Sequence, residues 1–361
     1  MTTQVNALHK FFYPNSIAVA GASGTSLSSF GTRYMAALIK FGFAGRLYAV
    51  NPAGGELNGS PIYRSVVDIP ESVDLAVVTT PARFVPGILQ DCLKKQIGAA
   101  VVLSAGFRES GEEGRKLEGE LVKIAAQGLR IIGPNCFGVY CPRGKVTVIP
   151  GGSFPRESGR TALMVQSGQL SETIVGRSIG EGIRFSKMIS YGNACDINEA
   201  DLLEYLMGDR ETKVIMAYNE GVRDGRRFFQ IARKYAAEKP VIILKAGLTR
   251  LGSAAAASHT GSIAGGNTAW DAFFRQSRAI KVSSMDELID TAVAFNCMPS
   301  GCGARVAMVS GGGAGAVLGA DACESAGLYM PAFHPETEKT LRSILPSIGT
   351  AIRNPIDIGS P

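Results

Sequence analysis

Short, almost continuously apolar runs alternate along this chain with longer segments in which apolar and polar residues recur at helical spacing. Ser16–Ala20 and Leu75–Val78 are runs of the first kind, and residues 85–95 and 111–126 are segments of the second. Continuous apolar runs are typical of strands that are buried on both faces of a parallel sheet. Their regular alternation with helices predicts an α/β fold with a doubly wound parallel sheet, whose ligands bind at the carboxyl ends of the strands.

The same pattern divides the chain into three predicted domains. With 361 residues, the chain is too long for one ordinary domain. We expect a first domain over residues 1–145, a second over 146–300 and a third over 301–361. The third contains one predicted strand, over residues 305–309, and one or two helices, which cannot easily bury a core alone. We therefore expect either a truncated chain or a fold that a partner completes.

Composition narrows the functional classes. Hydrophobic residues make up 45% of the chain and charged residues 19%, with 44 Gly, which suits a soluble α/β protein rich in loops. The net charge of +6 is modest and acidic residues interrupt the basic ones, so we expect no nucleic-acid partner. The chain lacks the apolar core of a signal peptide and any apolar run of membrane-spanning length, which predicts a cytoplasmic protein without membrane contact. The seven Cys form no CxxC pair, so neither a disulfide framework nor a metal site is expected.

The end of the first strand carries the first candidate ligand site. This strand runs into four small residues, Gly21, Ala22, Ser23 and Gly24. A strand, a glycine turn and a helix in this order can cradle a phosphate, although a GxxG spacing alone is a weak signal. Asn51 and Pro52 follow the next strand, where a nicotinamide site would place an acidic residue for the ribose. Their presence argues against a dehydrogenase.

Other strand ends of the first domain are also small, polar or glycine-bearing. They comprise residues 79–82, Ser104, Ala105, Gly106, Asn135 and Cys136. Each one by itself is compatible with an ordinary turn between a strand and a helix, but the set indicates a binding crevice. Cys136 could also be a covalent nucleophile, which is the weaker interpretation because the sequence supplies it with no base.

In the second domain, Ser167 and Gly168 stand between a strand and a helix. Free backbone N–H groups and the positive end of the helix dipole make this position a ready anion site. Glu220 ends another strand, where its carboxylate would point into the crevice and could accept an imidazole N–H. A solvated turn residue is the alternative interpretation of Glu220.

His259 lies on a loop of small residues that follows the apolar run 241–244, and it is one of three His in the chain. A histidine on such a loop is accessible and can act as a nucleophile or as a base. The alternative is a surface histidine whose hydrogen bonds are satisfied by water.

The third segment repeats a unit of the second domain. Residues 306–312 read VAMVSGG and residues 162–168 read ALMVQSG, so a strand leads into glycine and a helix twice. Two such turns can clamp one phosphate between opposed helix N-termini. Gly312 and Gly313 are the candidates for the second turn.

The loop around His259 reads SHTGSIAG and follows a strand that ends in KAG. This combination resembles the phosphohistidine loop of the nucleoside-diphosphate-forming acyl-CoA synthetases. These include the ADP-forming acetyl-CoA synthetases and, more distantly, the succinyl-CoA synthetase α subunit. The GAS, VNP, SAGF and GPNC segments of the first domain resemble the CoA-binding domain of this family, and QSG and YNEG in the second resemble its phosphohistidine site. The resemblance covers nearly the whole chain, but SGGGAG at 310–315 departs from the family's TNAGGPG.

The resemblance implies a Rossmann-like CoA-binding domain followed by flavodoxin-like domains. It further implies that His259 is phosphorylated transiently and that Glu220 orients its ring. The phosphate on the histidine would be held by Ser167, Gly168, Gly312 and Gly313. The CoA phosphates would lie on the turn formed by Gly21, Ala22, Ser23 and Gly24. The remaining CoA-binding candidates are Asn51, Pro52, Ser104, Ala105, Gly106, Asn135 and Cys136, the last two near the thiol end.

The implied reaction converts acyl-CoA, phosphate and ADP into a carboxylic acid, coenzyme A and ATP. The chain has no GxxxxGK[ST] motif. By resemblance, ADP or ATP and its Mg²⁺ bind to an ATP-grasp chain or domain outside these residues. The implied partners are therefore acyl-CoA, phosphate and that module, in an oligomeric assembly.

Two other functional classes stay open. A non-catalytic CoA-binding or regulatory module of the same fold would have an unreactive His259. A CoA-dependent acyl transferase would keep its activity without phosphate and in a His259→Ala variant. A nicotinamide dehydrogenase is the weakest alternative.

Overall fold

The computed structural model describes residues 3–26, 28–147, 154–253, 267–298 and 303–359. Contacts between Cα atoms divide the chain into two compact units, Met1–Cys297 and Met298–Pro361. Within the described ranges, every helix is too short or too polar to span a bilayer.

The first sheet is formed by the strands β1 (Ser16–Ala20), β2 (Arg46–Val50), β3 (Glu56–Leu57), β4 (Ser60–Tyr63), β5 (Leu75–Val78), β6 (Ala99–Val102) and β7 (Arg130–Ile132). Their order is β3-β4-β2-β1-β5-β6-β7, and only the β3–β4 pair is antiparallel. The accompanying helices are α1 (Thr3–Phe12), α2 (Phe30–Phe41), α3 (Val85–Lys94) and α4 (Glu112–Ala125). The strand order reverses between β1 and β5, and a crevice opens at the carboxyl ends of strands at such a point.

The second sheet is formed by β8 (Gly138–Tyr140), β9 (Thr161–Val165), β10 (Phe185–Ser190), β11 (Val214–Asn219), β12 (Val241–Lys245) and β13 (Ile280–Val282). Their order is β13-β12-β11-β9-β10-β8, and only β8 is antiparallel to its neighbour. The accompanying helices are α5 (Gly168–Gly180), α6 (Glu199–Gly208), α7 (Gly225–Tyr235), α8 (Asn267–Ser277) and α9 (Met285–Cys297). Strands β9 to β13 follow the flavodoxin order, whose switch point lies between β9 and β11. The predicted doubly wound α/β fold is confirmed.

The two sheets share one hydrophobic core within the first compact unit. Phe11 and Phe12 at the end of α1 are buried in the same cluster as Leu163 of β9 and Met188 of β10. The ring of Phe12 stacks on that of Tyr205, with 5.0 Å between centroids. The amino-terminal helix therefore helps to hold the two sheets together.

The second compact unit contains β14 (Val309–Ser310), β15 (Ile356–Asp357), α10 (Gly313–Ser325) and α11 (Pro335–Ile344). The two strands pair in parallel. The strand predicted over residues 305–309 is wrong in its extent, because β14 includes only Val309 of that run and Arg305 makes an isolated bridge to Tyr329. The apolar side chains of this run are exposed or half-buried, so they lack the two covered faces that a continuous apolar run normally indicates.

Candidate active site

The turn after β1 requires glycine at two positions. Gly21 has a φ of +102°, and its N–H donates to the Val50 carbonyl at 2.9 Å. A Cβ at Gly21 would lie 2.4 Å from Thr79 Oγ1 at the end of β5, and a Cβ at Gly24 would lie 2.1 Å from the Glu56 carbonyl oxygen. This packing brings the turn after β1 against the residues after β5, where the strand order reverses.

Hydrogen bonds hold the rest of this turn in place. The Ser23 N–H donates to Thr32 Oγ1 on α2 at 2.8 Å, and that hydroxyl donates back to the Ser23 carbonyl at 2.9 Å. Asn51 Nδ2 donates to the carbonyl of the buried Ala22 at 2.8 Å, and Asn51 Oδ1 accepts a backbone N–H at 3.1 Å. Both polar atoms of the Asn51 side chain therefore support the backbone, whereas Pro52 beside it is exposed.

The loop after β6 is formed by Ser104, Ala105 and Gly106. Ser104 Oγ donates to the Thr80 carbonyl at 2.5 Å. Gly106 has a φ of +104°, and its N–H donates to Glu109 Oε1 at 2.7 Å. Ala105 is exposed while its two neighbours are half-buried, so the loop presents mainly backbone and small side chains to the crevice.

In the segment after β7, Asn135 is partly accessible whereas Cys136 is buried. Asn135 is half-buried with a φ of +56°, and its N–H donates to the Ser104 carbonyl at 2.8 Å. Cys136 is 4% exposed, and its thiol donates to the Val102 carbonyl at 3.3 Å. Burial raises the pKa of the Cys136 thiol to about 12. The segment can therefore face a ligand through Asn135 and through backbone groups, but not through an ionised thiol.

This burial leads to a first prediction about thiol reactivity. Under native conditions at neutral pH, we expect iodoacetamide to modify the exposed Cys297 and to leave the buried Cys136 unmodified, because alkylation needs an accessible thiolate. Peptide mass spectrometry measures both sites, and labelling in denaturant serves as the control in which both react. If Cys136 is labelled under native conditions as fast as Cys297, the prediction is wrong and Cys136 is again a candidate nucleophile.

At the switch point of the second sheet, Gln166 follows β9 and Glu220 follows β11. Gln166 is 3% exposed. Its Oε1 accepts the backbone N–H of Glu220 at 2.9 Å and that of Gly221 at 3.2 Å. The Gln166 side chain thus fixes the turn that carries the Glu220 carboxylate. Gln166 is not among the site residues predicted from the sequence, although its position directly before Ser167 and Gly168 could have indicated it.

Ser167 and Gly168 begin helix α5. Ser167 is the N-cap residue, and its Oγ accepts the Leu170 N–H at 3.3 Å. Ser167 and Gly168 are half-buried, and a Cβ at Gly168 would lie 2.7 Å from Cδ1 of Phe137. The absence of a side chain at Gly168 therefore allows a residue of the first domain to pack on the positive end of the helix.

Glu220 lies in a buried polar environment. Its side chain is 5% exposed, and Oε1 accepts from Tyr218 Oη at 3.3 Å. Lys245 Nζ, at the end of β12, donates to the Glu220 carbonyl at 2.8 Å and lies 5.4 Å from the ring centroid of Trp270. Burial lowers the pKa of Lys245, although the nearby Glu220 opposes the shift. The backbone of Glu220 is thus held by groups at the ends of β9 and β12, and its side chain is held by Tyr218 of β11.

The histidine and the second glycine turn that the sequence predicts lie outside the two sheets described above. His259 lies outside the described residues, between Lys245 at the end of β12 and Asn267 at the start of α8. Gly312 is the N-cap of α10 and Gly313 is its first residue, and both belong to the second compact unit. The described residues contain no group of His, Cys, Asp and Glu side chains arranged to hold a metal ion.

The loops of the two domains contact each other directly. The Phe137 N–H donates to Ser190 Oγ at the end of β10, at 3.0 Å. The Asn193 N–H donates to the Pro134 carbonyl at 2.9 Å. A Cβ at Gly192 would lie 2.2 Å from the Asn135 carbonyl oxygen, so only glycine permits this approach. The structure thus joins the loop after β7 of the first sheet to the loop after β10 of the second.

Two family models match this chain. A CoA-binding domain matches residues 15–142, and a succinyl-CoA ligase-like flavodoxin domain matches residues 158–295. The solved structure of the dinucleotide-forming acetyl-coenzyme A synthetase 1 of Ca. Korarchaeum cryptofilum, in complex with phosphate and ADP, superposes with a TM-score of 0.87 at 36% identity. That alignment covers 98% of this chain and 75% of the Korarchaeum chain.

Nearly the whole chain also aligns in sequence with ADP-forming acetate–CoA ligases. The acetate–CoA ligase [ADP-forming] I subunit alpha of Pyrococcus furiosus is 40% identical over 359 residues, which cover 98% of this chain and 76% of the subunit. The acetate–CoA ligase [ADP-forming] I of Archaeoglobus fulgidus is 41% identical over 355 residues, but these are 97% of this chain and only 50% of that protein. The chain thus spans about half the length of such relatives. It belongs to the nucleoside-diphosphate-forming acyl-CoA synthetase family, together with the ADP-forming acetate–CoA ligases.

Proposed function

We propose that this chain supplies the CoA site and the phosphohistidine of an acid–CoA ligase that forms ATP from ADP. The overall reaction would be acyl-CoA + phosphate + ADP ⇌ carboxylic acid + CoA + ATP. The observation that carries the proposal is the direct contact between the loops of the two domains, through Phe137 and Ser190 and through Asn193 and Pro134. It allows a thioester in the CoA-binding domain to meet a phosphate at the switch point of the flavodoxin-like sheet.

In the first step, an oxygen of inorganic phosphate would attack the thioester carbonyl. The C–S bond breaks, CoA leaves as the thiolate, and an acyl phosphate forms. The turn at Gly21 and Gly24 would hold the CoA phosphates close to its backbone. The N-terminus of α5, at Ser167 and Gly168, would hold the attacking phosphate through N–H groups and the helix dipole.

In the second step, an imidazole nitrogen of His259 would attack the phosphorus atom. The bond between phosphorus and the acyl oxygen breaks, and the carboxylate leaves. Glu220 would accept the N–H of the other ring nitrogen, which fixes the tautomer and stabilises the positive charge that develops on the ring. The hydrogen bonds that Gln166 Oε1 accepts from the backbone N–H groups of Glu220 and Gly221 support this role, because they fix the turn that carries the carboxylate.

In the third step, a terminal phosphate oxygen of ADP would attack the phosphohistidine, and the P–N bond breaks to yield ATP. We place the nucleotide and its Mg²⁺ on an ATP-grasp partner chain or domain. Gly312 and Gly313 at the N-terminus of α10 are proposed to supply a second positive helix end for the phosphoryl group. The name of the Pyrococcus relative, an alpha subunit, supports a partner chain.

The test is peptide mass spectrometry of the chain after incubation with acetyl-CoA, phosphate and an ATP-grasp partner chain, in non-acidic conditions that preserve phosphohistidine. We expect one added phosphate, mapped to His259, and ATP formation only when ADP and the partner are both present. If CoA binds while His259 stays unmodified, the chain is a binding module instead. If ATP forms without the partner, the proposal that the nucleotide binds to an ATP-grasp partner is wrong.

A further inference from the structure

Asn193 connects the two domains through its side chain. It follows β10 of the second sheet and is 0% exposed. Its Nδ2 donates to Glu109 Oε2 at 2.7 Å and to Glu118 Oε2 at 2.8 Å. Both carboxylates belong to the CoA-binding domain, so one amide group of the second domain bonds to two acidic residues of the first.

Glu109 carries this contact to the loop after β6. Its other oxygen, Oε1, accepts the N–H groups of Gly106 at 2.7 Å and Phe107 at 3.0 Å. Burial alone would raise the pKa of Glu109, but the hydrogen bonds from Asn193, Phe107 and Gly106 outweigh it and keep the pKa below its usual value. The ionised carboxylate therefore binds the amide on one side and the loop backbone on the other.

The backbone of this loop needs such a support. Gly106 has a φ of +104°, in the region that only glycine adopts readily. One end of the loop is held at Ser104, which is bonded to the Thr80 carbonyl and to the Asn135 N–H, and the Glu109 carboxylate holds the N–H groups at the other end. Charge-assisted hydrogen bonds of this kind are about twice as strong as neutral ones.

We infer that Asn193 is a positioning residue for CoA: from the second domain it holds Glu109, and through Glu109 it sets the 104–107 loop that receives CoA. The inference rests on the proposed CoA site. Asn193 is fully buried, so it acts on CoA through the loop and not by touching the ligand. Occupancy of the CoA site and the arrangement of the loop after β10 are thereby coupled, because both depend on the same amide.

If Asn193 only joined the two domains, any other contact between them should affect CoA binding equally when it is removed. The chain contains such a contact, which serves as a matched control. Asp196, three residues after Asn193, also bridges the domains. Its Oδ2 accepts from Arg130 Nε at 2.9 Å and from the Ile131 N–H at 2.8 Å. These partners lie on β7 and not on the 104–107 loop. Replacing Asp196 therefore weakens the contact between the domains without removing the support of Glu109.

The experiment measures CoA binding to the full chain by isothermal titration calorimetry, with thermal unfolding of each variant in parallel. We expect Asn193→Ala to raise the Kd for CoA about tenfold, the effect of losing one hydrogen bond to a charged group. Asp196→Ala should lower the unfolding temperature at least as much while leaving the Kd within about twofold. If Asn193→Ala and Asp196→Ala lose the same affinity for CoA, Asn193 only joins the domains and the inference is wrong.

Two further variants test the inference if Asn193→Ala fails to fold. Asn193→Ser has a single donor and can serve only one of the two carboxylates, so it should fold and still weaken CoA binding. In a double-mutant cycle, Asn193→Ser/Glu109→Gln should bind CoA no more weakly than the weaker single variant, because both changes disrupt one pathway. Strictly additive losses would contradict the inference. If the unchanged chain fails to bind CoA, the proposed CoA site is wrong, whatever Asn193 does.

Discussion

Replacement of Glu220 by glutamine should slow phosphorylation of the chain by about 10²- to 10⁴-fold, the range of rate that a positioned acid–base group contributes. Glutamine preserves the shape of the side chain but removes the negative charge. Without that charge, the imidazole would lose the acceptor that fixes its tautomer and the group that stabilises its developing positive charge. The chain is incubated with acetyl-CoA and phosphate, and the reaction is stopped at alkaline pH after increasing times. The rate is the increase with time in the amount of phosphate bound to the protein.

Two variants separate this effect from simple disruption of the fold. Glu220→Asp keeps the charge with a shorter reach, so it should lose less activity than Glu220→Gln. Glu199→Gln changes another buried carboxylate of the same domain, and burial raises the pKa of Glu199 to about 7. A neutral side chain at Glu199 is thus already well populated near neutral pH, and its substitution should leave the rate nearly unchanged. An undiminished rate in Glu220→Gln would show that Glu220 does not orient the histidine.

Lys187→Met should lower the free energy of unfolding by about 3–5 kcal/mol, the cost of leaving buried charges unpaired. Lys187 is 0% exposed, and its Nζ lies 2.8 Å from Asp209 Oδ2 and 3.3 Å from Glu211 Oε2. The same ammonium group lies 5.8 Å from the ring centroid of Phe12 and 5.4 Å from that of Tyr13 at the end of α1. Removing it leaves two largely buried carboxylates without their cation. Denaturant unfolding followed by circular dichroism measures the loss.

Lys116→Met is the matched control for this prediction. Lys116 also pairs with a carboxylate, Glu113, but both side chains are mostly exposed. Exposed pairs contribute only about 0–1 kcal/mol. The control should therefore change the free energy of unfolding little, and a loss as large as that of Lys187→Met would show that lysine removal destabilises the chain by some other route.

The same variant should change the response to acid. Burial by itself would raise the pKa of Asp209, but hydrogen bonds from Lys187 and Thr212 outweigh it and hold the pKa below its usual value. A depressed folded-state pKa stabilises the protein above the unfolded pKa of about 4, and this contribution is lost as the pH falls through the folded value. In Lys187→Met the pKa of Asp209 should rise, so the variant should lose less stability than the unchanged chain as the pH falls below about 4. The difference in the free energy of unfolding between the two proteins should therefore be smaller in acid than at neutral pH, and a difference that stays constant with pH would show that Lys187 is not what holds Asp209 ionised.

Local sequence determined the strands and the backbone geometry of the first turn. β1 and β5 coincide with the predicted apolar runs, because strands buried on both faces must be apolar along their whole length. Glycine at Gly21 and Gly106 follows from a positive φ that other residues rarely adopt. The family resemblance likewise depended only on short stretches of sequence, and the relatives confirm that the chain belongs to this family.

Only the tertiary structure decided which side chains meet. Gln166 and Glu220 are 54 residues apart, and Asn193 and Glu109 are 84 apart, yet each pair is joined by a hydrogen bond. Lys187 stands inside β10, a strand whose six residues are all buried. Its burial depends on Asp209, Glu211 and the end of α1, none of which its local sequence reveals. A periodic pattern encodes whether a position is buried and how the backbone bends there. It does not encode the order of strands in a sheet, and that order brings distant loops together.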